Sequence, residues 1–214
     1  MKLGILADIH EDLDHLRRAL DALRDRGADR LIVLGDLFEL GHRLDATVEL
    51  LDEAGAVGVW GNHDFGLCRD PHEDVRRRFS EETMAFMGRL RPRLELEGCL
   101  FVHVEPWLDP ERIEDLWYFD DEPWYRKAPQ AVEERLARIF AATPCRWTFI
   151  GHFHRWLLAT PEAVLPWDGG GPVVLEPDRR SFVIVDAVVE GWCALFDTAA
   201  GLLVPIDLGR EDNP

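Results

Sequence analysis

Leu31-Ile32-Val33-Leu34-Gly35-Asp36 and, one helix-length later, Ala56-Val57-Gly58-Val59-Trp60-Gly61-Asn62-His63-Asp64 decide how this chain is read. Each begins as a short aliphatic and β-branched run that stops at a glycine, and polar side chains of cation-ligating type follow at once. Two such runs around an amphipathic helix predict neighbouring parallel strands, with Asp36 and Asn62 side by side at their carboxyl edge. In an open α/β sheet that edge is where ligands bind, because the loops converge there and helix N-termini point into the crevice. The same pattern recurs on either side: Gly4 to Ala7 runs into Asp8-Ile9-His10, and Trp147 to Ile150 into Gly151-His152-Phe153-His154. Four strand ends thus deliver Asp8, His10, Asp36, Asn62, His63, His152 and His154 to one rim.

Outward from this centre, Lys2 to Ala7 reads as a buried strand. Glu11 to Arg26 is an amphipathic helix carrying Leu13, Leu16, Leu20 and Leu23 and closed by Gly27. Arg43 to Ala54 is a second helix, so the first third predicts a parallel sheet with right-handed crossovers. Beyond Asp64, Pro71 to Leu90 reads as one helix, and Leu94 to Glu97 with Leu100 to Val104 as a hairpin turning at Gly98, its second arm ending on His103. Trp107 to Tyr125 is irregular, rich in aromatic and acidic residues, and suits either a substrate-facing lid or a loop packed on its own rings. Ala131 to Ala141 is helical. Ser181 to Val188, Trp192 to Phe196 and Leu202 to Ile206 read as antiparallel strands of a second sheet laid against the first. Asp168-Gly169-Gly170-Gly171-Pro172 lacks the continuation of a phosphate-binding loop. Residues 1–210 read as a single domain and Glu211 to Pro214 as a frayed tail.

A chain of 214 residues, 47% hydrophobic and 30% charged, is long enough for one well-buried domain of ordinary globular composition. No apolar run approaches the roughly 18 to 20 residues that cross a bilayer. Asp8, His10, Glu11 and Asp12 cut short the apolar start, against a signal peptide, so the expected location is the cytoplasm, with no membrane partner. Cys68, Cys99, Cys145 and Cys193 show no CxxC spacing, which speaks against a zinc knuckle or a disulfide framework. The net charge of −17 repels a phosphate backbone, and no Lys/Arg stripe offsets it, so long nucleic acid is not an expected partner. A small phosphorylated substrate held through cations is compatible with this charge, since a negative rim draws divalent ions. The sequence carries no signal for a particular oligomeric state.

Of eight histidines, His10, His63, His103, His152 and His154 follow a β-run directly. One such histidine is ordinarily a hydrogen-bonded structural residue. Five of them gathered with Asp8, Asp36 and Asn62 predict a cation site instead. Carboxylate, imidazole and amide oxygen without thiolate suit Mn²⁺, Fe or Zn²⁺. One carboxylate can bridge two cations about 3.5–4 Å apart, and Asp36, on a central strand, is placed for that bridge.

Asp8-Ile9-His10, Gly35-Asp36, Gly61-Asn62-His63-Asp64, His103 and Gly151-His152-Phe153-His154, in this order, resemble the motif set of the calcineurin-like metallophosphoesterases. The resemblance runs from Asp8 to His154. It implies an α/β fold, a four-layer sandwich of two mixed β-sheets flanked by helices. It also implies a dinuclear centre in which Asp8, His10, Asp36 and His154 hold one ion and Asp36, Asn62, His103 and His152 the other. Mn²⁺ or Fe are the expected ions, with Zn²⁺, Ni²⁺ and Mg²⁺ also compatible. The implied activity is hydrolysis of a small phosphodiester, phosphomonoester or nucleotide by direct attack of a metal-bridging hydroxide, since cations lower the pKa of bound water from about 15.7 toward neutrality. His63 resembles the family's non-ligand histidine, which donates a proton or hydrogen bond to the leaving oxygen, with Asp64 fixing its tautomer.

Some residues depart from the pattern. Val104 and Glu105 follow His103 where many relatives have glycine or alanine, so Glu105 either narrows the pocket or turns away. Asp64, where other relatives have glutamate, fits phosphodiesterases and nucleotide hydrolases better than eukaryotic protein phosphatases. Arg155, the arginine nearest the motifs, reads as a surface or salt-bridge residue, not as part of a polyphosphate clamp. Two other functions remain in view. A protein Ser/Thr phosphatase needs an open groove, which the aromatic 107–125 stretch argues against. A non-catalytic scaffold, like the retromer subunit that resembles this family, would tend to have lost ligand types that are all present here.

Overall fold

The computed structural model describes residues 1–120 and 122–209, so the tail expected over Glu211 to Pro214 lies outside the described residues. β1 (Lys2–Leu6) is buried from its second residue onward. Asp12 then caps α1 (Leu13–Asp25) by accepting the backbone N–H groups of Asp14 and His15, and the helix turns Leu16, Ala19 and Leu23 inward. β2 (Arg30–Val33), α2 (Leu44–Glu53) and β3 (Val57–Gly58) complete a βαβαβ run with parallel pairing, as the spacing predicts.

The stretch expected as one helix over Pro71 to Leu90 is broken. After α3 (Phe65–Cys68) come α4 (Glu73–Arg76) and α5 (Glu81–Met87). Ser80 causes the break: its hydroxyl accepts from Thr83 N–H while its own N–H donates to Asp45 Oδ1, which starts a new helix instead of extending the old one. β4 (Leu94–Leu96) and β5 (Cys99–Phe101) form the hairpin, whose turn residues Glu97 and Gly98 both take positive φ, 53° and 78°. α6 (Ile113–Leu116) and a 3₁₀ turn at Trp124–Arg126 lie in the aromatic stretch, followed by α7 (Pro129–Ala141). β6 (Trp147–Ile150), β7 (Leu157–Ala159), β8 (Val173–Val174), β9 (Ser181–Ile184), β10 (Trp192–Asp197) and β11 (Leu202–Asp207) complete the described elements.

One sheet has the order β3-β2-β1-β10-β11-β8 and the other β4-β5-β6-β9-β7. The C-terminal strands, expected together in a second sheet, are therefore divided. β9 runs parallel beside β6, whereas β10 pairs antiparallel with β1, from Lys2↔Asp197 to Ile5↔Ala194. Beyond Ile184 the chain crosses between sheets along the end of β1, where Val188 N–H donates to Ala7 O at 2.7 Å. The apolar strand β1 would otherwise present an open edge, and β10 closes it.

Between the sheets, Leu3, Ile5 and Phe196 pack against Phe101, Trp147 and Phe149. α1, α2 and α5 cover the outer face of the first sheet, and α7 covers that of the second. The result is an α/β fold of two mixed β-sheets flanked by helices. Among the described residues no helix is long and apolar enough to cross a membrane.

Candidate metal centre

The loops after β1, β2, β3, β5 and β6 meet where the two sheets come together, and they carry every candidate ligand. Asp8, His10, Asp36, His152 and His154 take φ of 51°, 47°, 54°, 71° and 46°. This left-handed region costs an L-residue other than glycine roughly 1–2 kcal/mol, and it persists only where neighbouring contacts fix it. Those contacts are backbone bonds that zip one loop to the next: Asp8 N–H to Gly35 O, His10 N–H to Asp36 O and Glu11 N–H to Leu37 O, at 2.9–3.1 Å. The glycines that end the runs let carboxylates approach the main chain. A Cβ on Gly61 would lie 2.0 Å from Asp36 Oδ1, and one on Gly151 would lie 2.6 Å from Asp8 Oδ2.

His103 and His152 show what the inner part of the site is built to bind. His103 Nδ1 lies 2.7 Å from the carbonyl of Leu34, so Nδ1 carries the proton and Nε2 is bare in the neutral ring. His152 Nε2 faces the Tyr118 carbonyl at 3.4 Å, which leaves its Nδ1 bare. These two nitrogens stand 3.2 Å apart, at 2.8 and 2.9 Å from Asn62 Oδ1, with Asp36 Oδ2 3.4 Å from His103 Nε2. With both rings neutral, four lone-pair atoms converge with no donor among them, and a cation fits that arrangement in place of the proton that Asp36 and Asp8 otherwise hold on His103.

The outer part holds Asp8, His10 and His154, whose ligand atoms lie within 4.8 Å of one another, as do those of Asp36, His103 and His152. Asp36 reaches both groups, since its Oδ2 is also 3.9 Å from His10 Nε2. Glu39, which the sequence reading missed, receives His10 Nδ1–H at 2.9 Å and turns Nε2 toward Asp36. Glu11, also missed, is buried and accepts the N–H groups of Glu39, Gly41 and Arg43, shaping the loop that carries Glu39.

His63 stands at the mouth, its Nδ1 3.5 Å from Glu39 Oε2 and its backbone N–H on Asp36 Oδ1 at 2.9 Å. Asp64, expected to fix the His63 tautomer, is committed elsewhere. Its Oδ1 accepts the N–H groups of Leu37 and Phe38 and its Oδ2 that of Gly61, all at 3.0 Å, so it braces the Asp36 loop from beneath. The carboxylate beside His63 is Glu39.

Burial and the neighbouring Asp36 carboxylate push the Asp8 carboxyl well above its ordinary value. Burial would raise Asp36 too, but His103 and the His63 N–H hold it below the usual carboxylate range. Burial opposes a charge on His103, yet Asp36 and Asp8 lift it to about 9. Burial and the adjacent His103 push His152 down to about 3. The buried pair thus accepts one positive charge and refuses a second.

A depression of about 480 Å³ opens over these groups, with Trp117 and Phe119 among its walls. Within the 107–125 stretch Trp107, Leu116, Tyr118 and Trp124 pack inward, as a loop packed on its own rings would, while Trp117 and Phe119 face the depression. Of the two orientations expected for Glu105, the structure shows the second, turned away from the depression and absent from its walls. It is fully buried, accepts Trp107 Nε1–H at 2.6 Å and forms an ion pair with Arg135 at 2.7 Å. Arg155 is half-buried, donating to Tyr125 Oη and Phe153 O, and takes no part in the cluster.

Residues 1–189 match the family model of the calcineurin-like phosphoesterase superfamily domain. An uncharacterised protein of Methanocaldococcus jannaschii is 24% identical over 142 residues, 56% of this chain and 58% of its own length, so the chain aligns with less than two thirds of that relative. Among solved structures, a metallophosphoesterase from Sphaerobacter thermophilus superposes with a TM-score of 0.74 at 20% identity, covering 99% of this chain and 89% of the other. An archaeal phosphodiesterase superposes with a TM-score of 0.54 at 13% identity, covering 97% and 99%.

Proposed function

The chain belongs to the calcineurin-like phosphoesterase superfamily, and from that premise we propose that it hydrolyses a small phosphodiester, phosphomonoester or nucleotide with two metal ions. The observation that carries this reading is the convergence of Asp36 Oδ2, Asn62 Oδ1, His103 Nε2 and His152 Nδ1, each 2.8–3.4 Å from its neighbour, at one buried point. On this reading Asp8, His10, Asp36 and His154 hold one ion, and Asp36, Asn62, His103 and His152 the other. Oxygen and imidazole donors without thiolate favour Mn²⁺ or Fe. When bound, such a pair supplies a water of lowered pKa and neutralises phosphate charge.

The chain's own residues supply the rest. Leu34 O, Tyr118 O and Glu39 fix the tautomers of His103, His152 and His10, so that a bare nitrogen faces inward in each. The His63 N–H holds Asp36 Oδ1 and leaves Oδ2 toward His10 and His103. The His63 ring lies beside Glu39 at the mouth, and on this reading it gives a proton or hydrogen bond to the leaving oxygen. Trp117 and Phe119 wall the depression, which favours a small substrate over a folded phosphoprotein.

Manganese-loaded protein, after metal analysis, is to be assayed on bis-p-nitrophenyl phosphate, p-nitrophenyl phosphate and a phosphopeptide. Two ions per chain and turnover of a p-nitrophenyl ester are expected. Turnover of the phosphopeptide alone would favour a protein phosphatase, and loaded protein that cleaves none of the three would indicate a scaffold.

A further inference from the structure

Trp117 and Phe119 are 48% and 54% exposed, unusual for side chains of this size, and both wall the depression over the metal centre. Their orientation follows from the residue between them. Tyr118 turns inward, its ring 5.4 Å from that of Trp107 and its hydroxyl 3.3 Å from Arg135, and Arg135 in turn holds Asp120 at 2.9 Å and buried Glu105 at 2.7 Å. With Tyr118 and Asp120 anchored, the side chains that alternate with them are directed to the site. Trp117 leans on the His63 ring, with centroids 5.2 Å apart, and Phe119 stacks on the His152 ring at 4.3 Å and 26°.

Two apolar faces are therefore held in water beside the reacting groups, where a planar ring would cover them. Among the described residues the walls of the depression include no lysine or arginine, and Glu39 adds negative charge. Beyond the candidate ligands, Glu39 and His63, the groups that these walls present among the described residues are mainly the rings of Trp117 and Phe119.

We propose that Trp117 and Phe119 determine specificity at this site by seating a planar aromatic ring, such as a nucleobase, carried by the phosphoester. The proposal rests on the phosphoesterase reading and names its substrate class. Phosphate and sugar sit in the metal centre's depression, and the ring lies against Trp117, Phe119 or both.

AMP and ribose 5-phosphate carry the same phosphate and sugar and differ only in the base. Calorimetric titration of manganese-loaded protein with the non-hydrolysable 5′-phosphonate analogue of each, so that no turnover occurs, should give tighter binding of the AMP form by roughly 5- to 150-fold, the range spanned by stacking of one base on an aromatic side chain. Trp117→Ala and Phe119→Ala should each reduce that AMP-to-ribose 5-phosphate ratio. Phe119→Leu, which keeps bulk and removes the flat face, should reduce it as well and serves if an alanine variant folds poorly. Equal affinities in the unaltered protein would overturn the proposal, as would a preference for AMP that survives all three substitutions or failure of AMP to bind at all. Because binding is read apart from turnover, the two readings separate. A base preference without hydrolysis of any p-nitrophenyl ester sinks the hydrolase and leaves the ring seat, and hydrolysis without a base preference does the reverse.

Discussion

Asp36 serves several contacts with one carboxylate. Its backbone is held at φ 54°, its Oδ1 receives the His63 N–H, and its Oδ2 faces both His103 and His10. Asp36→Asn removes the charge and puts an amide where a shared oxygen stood, so metal affinity should fall by at least about 100-fold, as read by metal analysis after dialysis. His63→Ala should keep the metal and lower kcat by roughly 10²- to 10⁴-fold, the usual worth of a positioned acid or base. Equal metal loss in both variants would place His63 among the ligands. Gly61→Ala leaves every donor in place yet drives a methyl group to 2.0 Å from Asp36 Oδ1, so metal stoichiometry should fall there too. The proposed ligands were legible because each follows a strand run directly. Glu11 and Glu39 were not, because their partners lie about thirty residues away in the chain and leave no periodic trace. Asp64 misled by adjacency: it neighbours His63 in sequence, but its oxygens reach Leu37, Phe38 and Gly61.

The aromatic stretch from Trp107 to Tyr125 depends on α7 for its position. Arg135 is 9% exposed, Glu105 is fully buried, and the pair sits under the rings of Trp107 and Tyr118. Arg135→Ala leaves Glu105 buried without its cation and should destabilise the fold by about 3–5 kcal/mol in denaturant unfolding. The double variant Arg135→Met with Glu105→Gln, which strands no charge, should lose less; an equal loss would show that packing, not charge, dominates there. At this scale α1, α2 and the strands they join were readable from their periodicity. The destination of β10 was not, because a strand buried along its whole middle, as Trp192–Asp197 is, suits either sheet equally. The break at Ser80 was hidden for a different reason, since Asp45, which fixes it, belongs to another helix.

Across the whole molecule the candidate ligands come from both sheets. His152 N–H donates to both Asp8 oxygens at 2.9–3.0 Å, and His103 donates to Leu34 O, so the site lies on the seam between the two layers. Ions held there join one layer to the other and should stabilise the native state by about 2.7 kcal/mol at a free concentration 100 times Kd. For a chain of this length that corresponds to a Tm roughly 5–10 °C higher for manganese-loaded than for chelator-stripped protein. Asp36→Asn should show a much smaller difference, and an unchanged Tm on loading the unaltered chain would mean that the native state holds no ion in preference to the unfolded chain. The seam also bears on the order in which the parts are made. β1, which presents Asp8, meets β2 early, but its other neighbour, β10, is encoded far downstream of every proposed ligand. A chain still leaving the ribosome carries that strand with one bare edge until Trp192–Asp197 has cleared the exit tunnel. All the proposed donors are thus synthesised before the sheet beneath Asp8 is complete, and a site that needs that closed sheet waits on translation of a segment that contributes no donor of its own.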